Sequence, residues 1–187
     1  MKLTTKDMAL VAVFSALTAM GAWISLPLGP VPITMQSLFV LLSGIVLGAK
    51  LGALSQLLYI FLGLIGLPIF AGFTGGVQSI MKPSFGFIIG FVFAGFIVGK
   101  IVNSNKNPST IRIVFASCIG SLTIYLFGLP YMYYTLNVII GQKLSFSSVF
   151  NMGCLIFLPG DFLKFILASI LGKRLLQSSI ISRQAMV

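Results

Sequence analysis

Apolar residues in this chain come in long uninterrupted runs, and polar residues gather in the short gaps between them. A helix that crosses a bilayer needs about 20 consecutive apolar residues, with a working range of about 17–25. Six runs reach or approach that length, over residues 7–26, 33–48, 51–70, 83–102, 110–130 and 152–176. The second is short for a span, which predicts a tilted or incomplete crossing. The gaps carry turn chemistry: "PLGPVP" after the first run, Lys50 after the second, "AGFTGGVQSIMK" after the third, "NSNKNPST" after the fourth and "FLPGD" opening the sixth. The pattern predicts an all-α membrane protein of six transmembrane helices, a single integral membrane domain over residues 1–187.

Composition agrees. The chain of 187 residues is 58% hydrophobic and 7% charged, against about 25% charged residues in soluble domains. Twelve Lys and Arg oppose two acidic residues, an imbalance that also raises nucleic-acid binding. The cations are scattered at the ends of apolar runs and form no patch, so membrane topology accounts for them better. Cys118 and Cys154 lie in apolar stretches without CxxC spacing and read as buried thiols. The N-terminal run lacks a convincing cleavage site and reads as the first span.

Charge then sets orientation. With the N-terminus cytoplasmic, the inside set is Lys2, Lys6, Lys50, Lys100, Lys106, Arg112, Lys173, Arg174 and Arg183, against Lys82 and Lys143 outside. That bias predicts a multi-pass protein with both termini cytoplasmic. Trp23, Tyr131, Tyr133 and Tyr134 then fall at the outer interface, where amphipathic rings prefer to sit. Small residues recur at four-residue spacing in Ala12/Ala16, Gly44/Gly48/Gly52, Gly86/Gly90, Gly95/Gly99 and Ala168/Gly172. Such pairs let helix backbones approach closely. Internal packing explains most of them, and Ala12/Ala16 on the first helix is reserved for a partner.

Catalytic chemistry is scarce. There is no histidine, and Asp7 and Asp161 are the only acids, so paired carboxylates, a Ser-His triad and a His/Glu metal site have no residues to build them. "GFIVGK" at residues 95–100 has the wrong spacing for a phosphate loop, and Ile101 stands where Ser or Thr is required. Uphill transport by this chain would draw its energy from a partner or an ion gradient.

Three stretches hold candidate binding groups. In "LPGDFLK", Asp161 and Lys164 lie three residues apart on nearly one helix face. They either neutralise each other to let the helix insert or contact a ligand, and an ionisable side chain in a span is by default a functional hypothesis. Pro159 and Gly160 mark a helix start, where the dipole favours Asp161. "LPLGPVPITMQS" is a stiff connector or a lid, with Gln36 at its end. "GLIGLPIFAGFTGGVQ" is either a set of turns or irregular backbone lining a cavity. All three fall on the outer side, and together they describe an outward-facing pocket with apolar walls and few polar groups.

"GPVPITMQSLFVLLSGIVLGAKLGALSQLLYIFLGLIGLPIFAG" and "FLPGDFLKF" resemble two signature blocks of the BioY family, the biotin-binding S components of energy-coupling factor (ECF) transporters of prokaryotes. The similarity covers most of the chain and is weak across the polar linker and the fifth run. It implies a compact six-helix S-component bundle in the cell membrane, not an enzyme, with biotin as transported ligand and no cofactor or metal. It implies partners as well: a membrane-embedded T component and two ATPase subunits. Asp161 and Lys164 match the family motif and are the expected polar contacts to biotin, and Gln36 matches the glutamine after "PVPI". Thr74 stands where some members carry asparagine, and Ala12 and Ala16 resemble the small-residue motif that docks the T component. The family's "GPxGGY" reads "KPSFGF" here, and Ile88 stands where some members have arginine. Lys82 is then either a substitute cation for the biotin carboxylate or an ordinary interface lysine. An S component for another small vitamin-like molecule, a structural bundle and a membrane enzyme are the alternatives.

Overall fold

A computed structural model of the chain describes residues 3–105 and 107–178. Lys2, Lys106 and Arg183 of the predicted inside set lie outside the described residues. Helix α1 runs Thr5–Trp23 and opens with a capping box. Thr4 Oγ1 accepts the Asp7 N–H at 3.2 Å, and Asp7 Oδ2 accepts the Thr4 N–H at 3.0 Å. This reciprocal capping satisfies two donors that a helix start leaves orphaned. It also accounts for one of the chain's two acids, leaving Asp161 as the other.

After α1 a two-stranded antiparallel hairpin pairs β1 (Ser25–Leu26) with β2 (Ile33–Thr34). Helix α2 spans Gln36–Leu64 but is not one rod. At Gly48 the backbone adopts φ 84° and ψ −179°, a conformation open essentially to glycine alone. The chain reverses there. Eight residues of straight helix would separate Gly44 from Gly52 by about 12 Å, yet a Cβ built on Gly52 would lie 3.0 Å from Gly44 Cα. Gln36 and Tyr59, 23 positions apart, share a hydrogen bond of 2.7 Å. The second and third apolar runs are therefore the two limbs of one helical hairpin, residues 36–47 and 49–64. At 1.5 Å per residue they are about 18 and 24 Å long, both under the roughly 30 Å hydrocarbon thickness.

Helix α3 (Phe85–Asn103) packs between α2 and α4 (Thr110–Tyr134). Its glycines carry the α2 contact: a Cβ on Gly44 would stand 2.7 Å from the Gly95 carbonyl oxygen. Ser109 caps α4 by accepting the Arg112 N–H at 3.2 Å. Helix α4 continues through Pro130 and a wide turn over Thr135–Ile139. The sixth run is divided. A short α5 (Phe146–Phe150) and a wide turn (Asn151–Leu155) lead into α6 (Leu158–Gln177), with a 40° bend between the two parts. Helix α6 starts at Leu158, as the Pro159–Gly160 signal predicts, because Pro159 supplies the preset backbone angle of a first turn; the apolar run that begins at residue 152 includes the wide turn before it.

Four helices, α1 to α4, are each long and apolar enough to cross a membrane, and the bent α5–α6 pair is a fifth candidate. The burial pattern is that of a protein solvated by lipid. Phe61, Leu122, Leu126, Phe162 and Leu163 are exposed, whereas Thr18, Ser43, Ser55, Gln56, Ser117 and Ser169 are buried. Gln56 ties the first three helical limbs together: its Oε1 accepts from Thr18 at 3.3 Å and its Nε2 donates to Ser43 at 3.2 Å. Cys154 is buried as expected. Cys118, expected to be buried, is instead exposed on the apolar surface of α4, because a helix solvated by lipid can turn a small apolar side chain outward.

The small-residue pairs divide by burial. Gly44, Gly48, Gly52, Gly86, Gly90, Gly95, Gly99, Ala168 and Gly172 are all buried, while Ala12 and Ala16 lie on the exposed face of α1. The bundle has two distinct poles. One gathers the Gly48 turn with Lys50, the end of α3 with Lys100, and the start of α4, where Arg112 Nε donates to the Ile101 carbonyl at 2.8 Å. Lys173 of α6 reaches Thr110 at the same pole. The other pole carries the β-hairpin, the 65–84 loop and the start of α6.

Candidate ligand site

A cavity of about 750 Å³, including its mouth, opens at the second pole. Its apolar walls include Phe70, Phe87, Phe91 and Phe157. The rings interlock: Phe87 meets Tyr125 edge-on at 6.2 Å between centroids and stacks near Phe157 at 6.5 Å. All five predicted ligand residues line the cavity, namely Gln36, Thr74, Lys82, Asp161 and Lys164. They come from three separate parts of the chain: the start of α2, the 65–84 loop and α6.

Asp161 stands in the first turn of α6, where the helix dipole favours a carboxylate. Its Oδ1 accepts from Lys164 Nζ at 2.8 Å and, at the limit of bonding distance, from Ser37 Oγ at 3.5 Å. Its Oδ2 accepts from the Tyr125 hydroxyl of α4. Two carboxylate oxygens offer about four acceptor positions, so the group retains capacity for a further donor. Lys164 is 6% exposed and bonds only Asp161 among the described residues. The pair is therefore held in place, charge-balanced and cavity-lining.

Gln36 opens α2, and the hairpin brings it to Tyr59 on the returning limb. Its Nε2 donates to the Tyr59 hydroxyl at 2.7 Å, and that hydroxyl donates to the Ile69 carbonyl at 3.0 Å. Thr34 Oγ1 donates to Gln36 Oε1 at 2.9 Å. One relay thus couples the β-hairpin, both limbs of α2 and the 65–84 loop. One amide N–H of Gln36 remains beyond it.

The glycine-rich loop is ordered by its own backbone. Phe70 and Thr74 exchange hydrogen bonds of 2.8 and 3.3 Å across a tight turn, with Gly72 and Phe73 both at positive φ. A left-handed phenylalanine is strained, and Phe73 is held by stacking on Trp23 at 5.7 Å while the indole N–H donates to the Pro68 carbonyl at 3.1 Å. A Cβ on Gly75 would lie 2.1 Å from the Leu67 carbonyl oxygen, so only glycine lets the loop close on itself. Thr74 Oγ1 donates to the Ala71 carbonyl at 3.1 Å and keeps its lone pairs. Lys82 follows the 3-10 turn Val77–Met81, is half-buried, and makes no ion pair or side-chain hydrogen bond with a described residue. Ile88, at the position of the motif departure, lines the cavity as well.

Sequence reasoning missed Tyr125, Tyr59 and Ser37. The tyrosines carried a usable signal, since a hydroxyl inside an apolar run must find a partner when buried. Chemically the site offers one carboxylate, one paired ammonium, one unpaired ammonium, neutral donors and aromatic walls. Among the described residues no group of three or more His, Cys, Asp or Glu side chains is gathered. The arrangement is one that holds a small, partly apolar molecule by complementary hydrogen bonds.

The BioY family model matches residues 1–180. A probable biotin transporter BioY of Lysinibacillus sphaericus is 40% identical over 172 residues, covering 92% of this chain and 87% of the relative. A probable biotin transporter BioY of Pyrococcus horikoshii is 42% identical over 170 residues, covering 91% and 96%. Among solved structures, the S-component for biotin from an ECF-type ABC transporter superposes with a TM-score of 0.80 at 26% identity, covering 95% of this chain and 96% of that one.

Proposed function

The chain belongs to the BioY family, and from that premise we propose that it is the biotin-capturing S component of an ECF-type transporter, a binding subunit and not an enzyme. The observation that carries the reading is the Asp161–Lys164 pair lining the cavity with spare acceptor capacity. The ureido ring of biotin presents two N–H donors and one carbonyl. Asp161 accepts one ureido N–H at its remaining acceptor position, and Lys164 serves the carbonyl while retaining Asp161. Gln36 and Thr74 complete the polar lining, the aromatic walls take the bicyclic ring and valerate chain, and Lys82 takes the carboxylate.

The whole chain acts as one membrane domain. The pole bearing Lys50, Lys100, Arg112 and Lys173 faces the cytoplasm by the positive-inside rule, which puts both termini inside and the cavity mouth outside. The exposed Ala12/Ala16 face of α1 docks a membrane-embedded T component, through which two ATPase subunits supply the energy this chain's own residues lack. Titrating the detergent-purified protein with biotin, by calorimetry or by the fluorescence of its single tryptophan, tests the assignment. Saturable binding at micromolar biotin or below is expected. Absence of binding at those concentrations sinks the biotin assignment and turns the search to other vitamin-like ligands.

A further inference from the structure

The two stretches that close the second pole are loops by conformation but not by composition. Residues 24–35, between α1 and α2, and residues 65–81, after α2, contain no Asp, Glu, Lys or Arg. The connector at the opposite pole, "NSNKNPST", is polar and charged. Leu26 and Leu28 on the first stretch, and Leu67, Phe73, Val77 and Met81 on the second, are 45–66% exposed. Trp23 joins the two stretches into one cap, since its ring stacks on Phe73 and its N–H donates to the Pro68 carbonyl. An exposed apolar surface of this kind marks a contact with a membrane or another chain.

Helix lengths say which of these covers it. Lys50 is exposed beside the Gly48 turn, which sets that turn at the far edge of the hydrocarbon, where a lysine reaches the headgroups. Limbs of about 18 and 24 Å then end about 12 and 6 Å short of the near edge of a layer about 30 Å thick. Tilt shortens their reach further. The hairpin that feeds the first limb and the loop that leaves the second therefore begin within the bilayer. Irregular backbone at that depth has to pair internally. Here β1 pairs with β2, Phe70 with Thr74, the Met35 N–H donates to the Gly21 carbonyl at 3.0 Å, and the Gly76 N–H to the Gly63 carbonyl at 2.7 Å.

We propose that this cap is a lipid-seating surface that inserts into the headgroup–acyl boundary, with lipid chains against Leu26, Leu28, Phe73, Val77 and Met81. Which leaflet it enters, the outer one, rests on the orientation given above; the insertion itself does not. The same two stretches supply Val31, Pro32, Thr34 and Ala71 to the cavity wall. The cavity mouth therefore opens at headgroup depth and not in bulk water, and a ligand reaches it through the headgroup layer.

The test reconstitutes the full chain, without ligand, in phosphatidylcholine vesicles whose acyl chains carry bromine near the carbonyl end or near the methyl end. Trp23, the single tryptophan, is the first reporter and needs no substitution. Leu26→Trp and Val77→Trp, each combined with Trp23→Phe, report on the two stretches separately. Bromine near the carbonyl end is expected to lower the fluorescence of all three about twofold or more, bromine near the methyl end less, and aqueous iodide little, as for groups buried about 5–10 Å into the boundary. Quenching by iodide with none by brominated lipid puts the cap in water and overturns the proposal. Stronger quenching from the methyl end puts it in the bilayer centre and overturns it too. Brominated lipid that quenches only after the protein is diluted in the membrane shows that a second copy covers the cap, which also overturns it. If a variant does not fold, the Trp23 result decides. Biotin titration is a separate measurement, so failure here leaves the biotin reading standing.

Discussion

Asp161→Asn probes the centre of the site, and its consequences separate into two readouts. Asparagine keeps the size of the side chain and one acceptor oxygen but removes the charge. Lys164, 6% exposed, then loses its counter-ion. Breaking a buried pair from one side costs about 3–5 kcal/mol. The new amide can still offer its oxygen to Lys164 and its N–H group to the Tyr125 oxygen, and the cavity admits water, so the lower end, about 3 kcal/mol, applies. Biotin loses a charge-assisted acceptor worth about 1.5–3 kcal/mol, so Kd rises about 10- to 150-fold. Adding Lys164→Met removes the orphaned ammonium and is expected to restore part of the stability without restoring binding. Calorimetric titration with biotin and thermal unfolding followed at Trp23 measure the two effects on the same samples. Wild-type affinity in a folded Asp161→Asn protein would refute the ligand role and leave the pair as an insertion device. A double variant whose losses are the sum of the singles, within about 0.5 kcal/mol, would refute the coupling.

Three further outcomes follow from the packing. Tyr59→Phe removes the hydroxyl between Gln36 and Ile69, leaving a buried amide and carbonyl short of a partner at about 1–3 kcal/mol; biotin titration should show weaker binding and unfolding a lower midpoint, and no change in either would dissolve the relay. Gly99→Ala would place a Cβ 2.3 Å from Ala49 N and from Gly48 C, both backbone atoms that cannot step aside, so a loss of about 3 kcal/mol or more is expected and a midpoint within about 2 °C of wild type would disprove the contact. Ala12→Trp with Ala16→Trp should leave biotin affinity unchanged yet abolish co-purification with a T component, and retained co-purification would move the docking face elsewhere.

What the sequence disclosed follows from contrast. Asp161, Lys164 and Gln36 stand out because they are polar within apolar runs, and such residues have few structural excuses. The six apolar runs were legible for the same reason. Gly48 was not, because a glycine in an apolar stretch fits close packing as readily as reversal, and only the backbone angle distinguishes them. The start of α6 was legible in Pro159 and Gly160, although residues 152–157 are as apolar as the helix they precede and so join the same run. Tyr125 was hidden differently: a tyrosine in an aromatic-rich helix is ordinary, and its significance lies in the partner it has. Cys118 was misjudged because apolar surroundings mean burial in water but not in lipid.

The reversal at Gly48 turns the binding site into something measured by counting. Gln36 lies 12 residues before that glycine and Tyr59 lies 11 after it, so two rods of nearly equal length, about 18 and 16.5 Å, end side by side and their tips touch. Gly44 and Gly52 stand four places either side of the same pivot. Deleting one residue anywhere between would shorten one rod by about 1.5 Å and rotate every side chain beyond the deletion by about 100°, unseating the glycine contacts near the pivot and the relay at the far end together. Residues 36–59 work as a caliper: the protein can exchange many of its apolar letters for others of similar size, but it cannot change how many there are.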